Sequence, residues 1–136
     1  MKKRVVVCAG TFDHFHNGHL NYLHQAKKLA DELIVIVARD ETVKRIKGFS
    51  PTDDENVRLS KVENTGIPVK VMLGNTDADL FRIVEDLKPD VIALGYDQRV
   101  ADDAITERFP YCRVVRLESF QPHKYKSSFF RKRKGG

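Results

Sequence analysis

Three of the chain's five histidines stand within six residues of one another, in the stretch "GTFDHFHNGHL" from Gly10 to Leu20. Imidazoles this dense can ligate a metal, donate hydrogen bonds to a ligand, or simply be hydrated in a loop. His16 and His19 are spaced i, i+3 and so share one side of a helix start. Gly10 allows a tight turn after a strand, and Gly18 lets another group approach the backbone closely. A helix beginning near Gly18 would aim its free N–H groups and the positive end of its dipole at the same place, a ready anion site. Two imidazoles beside it are well placed to donate to phosphate oxygens. A zinc site built from His14, His16 and His19 would need a fourth ligand, and Cys8 is expected to point into a sheet instead.

The elements that must position this stretch alternate. Apolar β-rich runs at 4–9 ("RVVVCA"), 33–38 ("LIVIVA"), 67–73 ("IPVKVML"), 90–94 ("DVIAL") and 112–117 ("CRVVRL") read as five buried parallel strands. Between them helices are expected over 18–31, 40–47, 54–64, 77–87 and 100–109. Asp40 is a candidate N-cap and Gly66 a candidate C-terminal stop. Acids in the first turn of the 77–87 segment suit the helix dipole. Strand–helix alternation gives an α/β fold: an open, five-stranded parallel sheet with helices on both faces, joined by right-handed crossovers. In such sheets ligands bind beyond the carboxyl ends of the strands. The informative segments are therefore 10–19, 39–48, 74–77, 95–99 and 118–131.

At 136 residues one domain is expected. No run approaches the ~18 apolar residues of a membrane helix. The basic and then apolar start "MKKRVVVCAGTF" is broken by Asp13 and the histidines, so it reads as a first strand and the protein as cytoplasmic. The net charge of +5 sits in the last sixteen residues, "QPHKYKSSFFRKRKGG", which carry six Lys/Arg and no acid. The chain is thus divided into a domain over 1–120 and a basic C-terminal tail over 121–136. Cys8 and Cys112 lie in predicted strands, outside any CxxC, and read as buried reduced thiols rather than a redox pair.

The segment "GTFDHFHNGH" resembles the G-x-F-D-x-x-H-x-G-H signature of the HxGH-type small nucleotidyltransferases, the cytidylyltransferase-like superfamily, with Gly10, Phe12, Asp13, His16, Gly18 and His19 in register. The resemblance implies a Rossmann-like domain in which Thr11, Phe12, Asp13 and Gly18 bind a nucleotide and His16 and His19 act on its phosphates. His14 is a variable position and gains no role. "ARDETVKRIKG" (38–48) resembles the segment that brings lysines to the phosphates, which implies a catalytic Lys44 and a binding Lys47, with Arg45 as the alternative. "ENVRLSKV" (55–62) resembles the E-x-x-R-x-x-x-V helix, whose arginine, here Arg58, faces the nucleotide. The alternative for Arg58 is a surface pair with Glu55 or Asp54. "LGYDQ" (94–98) resembles the base-side loop and implies Gly95 and Asp97, though Asp97 could be only a turn residue. "SSFFRK" (127–132) resembles the S-[ST]-[ST]-x-[RK] segment that closes over the triphosphate. It implies Ser127, Ser128 and Arg131, with Tyr125 beside them, but Phe129 stands where the family has a hydroxyl or a small residue. Asp13 could instead only tie down its loop. Phe120, Phe129 and Phe130 read as packing residues.

The wording of 38–48 and 94–98 is closest to the archaeal FAD synthases, which implies transfer of AMP from ATP to FMN with release of pyrophosphate. Glycerol-3-phosphate cytidylyltransferase and pantetheine-phosphate adenylyltransferase are the alternatives within the family. A phosphate monoester is already ionised near neutral pH, so no general base is required. Catalysis is then mostly positioning and electrostatics. A divalent cation, Mg²⁺, held mainly through ATP would complete the charge balance. A homodimer without membrane contact is the expected assembly. Outside the enzymes, the competing reading is a nucleotide-binding module whose "RKRK" (131–134) contacts nucleic acid, a partner ranked below ATP and FMN.

Overall fold

The computed structural model describes residues 3–76, 81–95 and 102–118. Five strands, β1 (Val5–Gly10), β2 (Glu32–Val37), β3 (Lys70–Leu73), β4 (Val91–Leu94) and β5 (Arg113–Arg116), form one sheet in the order β3-β2-β1-β4-β5. Every pairing is parallel, as the continuous apolar runs require. The sheet grows one way from β1 to β3, then reverses, so β4 lands against the other edge of β1. The β1/β4 boundary is therefore the topological switch point, where a crevice opens at the carboxyl ends.

The alternation along each strand divides the core. Val6, Cys8, Leu33, Val35, Val37, Val91 and Ala93 face α1 (Asn17–Lys27) and α3 (Glu55–Glu63), where Leu23, Ala26 and Val62 meet them. Val7, Ile36, Ile92 and Leu94 face α4 (Arg82–Leu87) and α5 (Asp102–Arg108), where Val84 and Ile105 meet them. The fold class read from the alternation, a Rossmann-like sheet with helices on both faces, is the observed one. Cys8 belongs to the first cluster and Cys112 to the second. Both thiols are free and buried, and the sheet separates them.

Several boundaries differ for local reasons. The first helix runs over Asn17–Lys27, not 18–31, and Lys28 is its C-cap. β3 starts at Lys70 rather than 67, because Pro68 has no N–H to give a ladder. In α2 (Asp40–Lys47) the N-cap is Arg39; Asp40 is already helical, and its carboxylate pairs with Arg58 instead of capping. Asp54 does cap α3, accepting the Val57 N–H at 3.0 Å. Of the helix expected over 77–87, residues 77–80 lie outside the described residues. The basic tail lies outside them too. Among the described residues no helix is long and apolar enough to cross a membrane.

Candidate active site

The loop after β1 runs straight into α1, and its histidines cap that helix. His16 is the N-cap, in extended backbone; its Nδ1 accepts the Gly18 N–H at 3.0 Å. His19 returns the bond: its Nδ1 accepts the His16 N–H at 3.2 Å. This is a capping box made of two imidazoles in place of the usual hydroxyl and carboxylate. It has a chemical consequence. A neutral imidazole carries one N–H and one acceptor nitrogen. With both Nδ1 atoms accepting, both rings carry their proton on Nε2. The rings stack with centroids 4.1 Å apart and planes 26° from parallel. Two N–H donors thus stand side by side at a helix start, an arrangement suited to anionic oxygens. The Gly18 amide, however, is spent on the cap rather than left for an anion.

The backbone between β1 and α1 is unusual. Phe12 has φ 58° and His14 φ 49°, the left-handed region that non-glycine residues rarely enter. Three features hold it there. The Phe12 ring is only 2% exposed and packs in the core. A Cβ on Gly10 would stand 3.0 Å from that ring's Cε2, so Gly10 is needed to admit Phe12 rather than to turn the chain. The Asp13 carboxylate accepts the N–H groups of Thr52 (2.8 Å) and Asp53 (3.0 Å), which joins this loop to the one before α3.

Burial alone would raise the Asp13 pKa. The Asp53 and Thr52 amides, with His14 beside the carboxylate, outweigh it and hold the group below the usual carboxylate range. The contribution of Asp13 to stability is therefore in place above about pH 3.9, its unfolded value, and is lost as pH falls through the lower folded value. An Asp13→Asn variant should be less stable than the parent at pH 7, and the gap should close below about pH 3.9; urea midpoints across that range check it.

Arg58 is the other tie. The sequence expectation aimed it at the nucleotide, with a surface ion pair with Glu55 or Asp54 as the alternative; the structure shows it buried and bonded within the protein, not in that surface pair. Its side chain is fully buried. Its Nε donates to the Asp53 carbonyl (2.9 Å), its Nη1 to the carbonyls of Thr11 (2.8 Å) and Ala38 (2.7 Å), and its Nη2 to Asp40 Oδ1 (2.6 Å). One guanidinium thus fastens the exits of β1 and β2 and the starts of α2 and α3. Phe12, Asp13 and Arg58 shape the site through packing and bonds within the protein.

Against the carboxyl ends of β1, β2, β3 and β4 lies a cavity of about 190 Å³. It reaches Gly10 and Thr11 on one side and Ala93 and Leu94 across the switch point. Its walls are mostly apolar, including Ile36, Ile46, Phe81 and Val84, with Thr11, Arg39, Thr42 and Asn75 as polar members. Arg39 is held by its Nε on the Gly74 carbonyl (2.6 Å) and by Glu55 (3.6 Å). None of Arg39, Thr42, Ile46, Asn75 and Phe81 was a sequence candidate. The available signal was that Arg39, Thr42 and Ile46 share one side of α2 at spacings of three and four.

The lysines of α2 fare differently. Lys44 and Lys47 are exposed. Lys44 lies about 200° around the helix from Thr42, away from the cavity. Arg45, the alternative, lies about 60° from the Thr42 side. At the exit of β4, Gly95 is buried, and its carbonyl accepts from Arg116 Nη1 at 2.6 Å. The remaining candidates, Asp97, Tyr125, Ser127, Ser128 and Arg131, lie outside the described residues. Where the described chain stops, Gln25 of α1 grips it: Gln25 Nε2 donates to the Glu118 carbonyl (3.0 Å), and Gln25 Oε1 accepts the Glu118 N–H (3.0 Å). The last described residue, Glu118, thus lies beside α1, at a point about 12 Å along the helix from its first residue. Among the described residues no three His, Cys, Asp or Glu side chains gather as metal ligands.

Comparisons with known proteins identify the family. Residues 7–133 match the cytidylyltransferase-like family. The chain is 42% identical over 119 residues to the FAD synthase of Aciduliprofundum boonei, covering 85% of this chain and 78% of that one. It is 37% identical over 132 residues to the FAD synthase of Thermoplasma acidophilum, covering 94% and 92%. Among solved structures, the crystal structure of a lipopolysaccharide core biosynthesis protein from Thermoplasma volcanium superposes with a TM-score of 0.82 at 35% identity, over 88% of this chain and 100% of that one. The histidine-capped helix start at the switch point of a five-stranded parallel sheet, with a match over nearly the whole length, shows that the chain belongs to the cytidylyltransferase-like family.

Proposed function

We infer that the protein is an FAD synthase: an FMN adenylyltransferase that moves AMP from ATP to FMN and releases pyrophosphate. The observation that carries the choice of acceptor is the cavity beside Gly10 and Thr11, whose apolar walls suit a fused aromatic ring and not glycerol phosphate. The 36–42% identity to proteins named FAD synthase supports the same choice.

In this reading an oxygen of the FMN phosphate attacks the α-phosphorus of ATP. The new P–O bond forms as the bond from the α-phosphorus to the pyrophosphate oxygen breaks. No proton need be removed from the nucleophile. The protein's work is to bring two anions together and to meet charge as it builds on the transferring and leaving groups. The Nε2–H groups of His16 and His19 donate to those oxygens, and the start of α1 adds its dipole. Ser127, Ser128 and Arg131 of the tail close from beside α1, where Gln25 holds Glu118. Asp97 reads the adenine amino group. The donors at the helix start are N–H groups, which suit anions and not a cation. A divalent cation such as Mg²⁺ would accordingly be carried by the phosphates of ATP and would offset their charge. A cytoplasmic homodimer is the proposed form, with light scattering as its test.

The test is a panel of ATP and CTP against FMN, glycerol-3-phosphate and phosphopantetheine, read by pyrophosphate release and product mass. FAD from ATP and FMN is the expected product. Pyrophosphate release with a different pair only would replace the acceptor, and none with any pair would remove the enzyme.

A further inference from the structure

We propose that Thr42 is a specificity-determining residue whose hydroxyl hydrogen-bonds the polar edge of the flavin ring in the cavity at the carboxyl end of the sheet. The inference rests on the FMN reading above and deepens it. Thr42 lines the cavity and is 4% exposed. Its Oγ1 is the one buried side-chain polar atom among the described residues with no hydrogen-bond partner. Buried hydroxyls are ordinarily paired. The oxygen is covered in this rotamer, and a turn about χ1, which a helical threonine can make, presents it to a ligand in the cavity that Thr42 lines.

A helical threonine usually donates to the carbonyl three or four residues back. Thr42 makes neither bond, although the carbonyls of Ala38 and Arg39, which accept from Arg58 Nη1 (2.7 Å) and the Val43 N–H (3.0 Å), each keep a second lone pair. Two further polar side chains of the cavity wall are engaged, Arg39 with Gly74 and Glu55, and Asn75 with the Ile83 N–H at 3.4 Å.

The chemistry fits a flavin. One end of the isoalloxazine ring is a methyl-substituted benzene, matched to Ile36, Phe81 and Val84. The other is a pyrimidine edge with alternating carbonyls and an N–H. A hydroxyl can donate to the former or accept from the latter. A cavity of about 190 Å³ can take part of a ring system but not a whole dinucleotide. The ribityl phosphate would therefore lead out past Gly10 and Thr11 toward the histidines.

Thr42→Val keeps the shape and removes the hydroxyl; Thr42→Ser keeps the hydroxyl. Thr42→Val should raise the KM for FMN about tenfold, equivalent to about 1.4 kcal/mol, and leave the KM for ATP within twofold. Thr42→Ser should stay within threefold of the parent for FMN. Lumiflavin, which has the ring without ribityl phosphate, should weaken as an inhibitor by the same factor in Thr42→Val. Thermal melts should show Thr42→Val at least as stable as the parent, since an unpaired hydroxyl is lost. An unchanged KM for FMN in a variant that still makes FAD overturns this inference alone, as does a destabilised variant with normal KM. A shifted KM for FMN with unchanged lumiflavin inhibition also overturns it, by moving the contact to the ribityl chain. No FAD from the parent protein overturns the function itself, and this inference with it.

Discussion

Replacing both His16 and His19 by alanine is expected to lower kcat for nucleotidyl transfer by about 10³–10⁴. Removal of one well-placed donor to developing charge costs roughly 2.7–4 kcal/mol, and paired donors are not additive. The double alanine variant also loses both arms of the capping box, which costs about 0.5–2 kcal/mol of stability. A lower rate alone would therefore not separate chemistry from folding. His16→Asn does. Asparagine is a favoured N-cap and can accept the Gly18 N–H, yet it has no Nε2–H to offer at the imidazole's position. It should melt within a few degrees of the parent while losing about 10²-fold or more in kcat. Steady-state rates of pyrophosphate release beside circular-dichroism melts are sufficient. Near-parental turnover in the double alanine variant would remove these histidines from the reaction.

Arg58→Met should cost about 3–5 kcal/mol of folding stability, the range for breaking a buried ion pair on one side. The methionine leaves the carbonyls of Thr11, Ala38 and Asp53 without their donor and the Asp40 carboxylate without its partner. Asp40 keeps some access to water, with its side chain 38% exposed, so the carbonyls account for much of the loss. Arg58→Lys should recover only part, because a single ammonium cannot fork to acceptors on four segments. Activity should fall in both variants even where they are folded, since the loop carrying the histidines is anchored through Thr11. Denaturant midpoints measure the first effect and kcat at low temperature the second. A loss below about 1 kcal/mol in Arg58→Met would mean that the buried guanidinium is not the tie described.

The sheet and its helices were legible because five apolar runs, each long enough for a strand, were separated by stretches of helical period. The strand order was not, since nothing local says that β4 returns to β1. The histidine stretch reads as a candidate anion site from spacing alone. That its imidazoles cap their own helix, and so fix where their protons lie, depends on rotamers no spacing encodes. Arg58 stands out in the sequence, but its structural role does not. A basic residue in a matched pattern reads as a ligand contact, whereas its burial follows from four segments converging on it. Asp40 looks like a cap for the same reason, since its partner is eighteen residues away in the sequence. Thr42 was invisible because a threonine in a charged helix gives no sign until its hydroxyl is found buried without a partner.

The two cysteines have a practical use. Burial pushes the Cys8 thiol up to about 12, and burial with Asp90 nearby raises that of Cys112, whose Sγ also meets the Pro89 carbonyl at 2.9 Å. Near neutral pH neither offers much thiolate to a maleimide. A cysteine placed at Gly136 would then be the one fast-reacting thiol in an otherwise unaltered chain. A fluorophore attached there, paired with the flavin as quencher, would report in real time whether the tail approaches the acceptor when ATP is added.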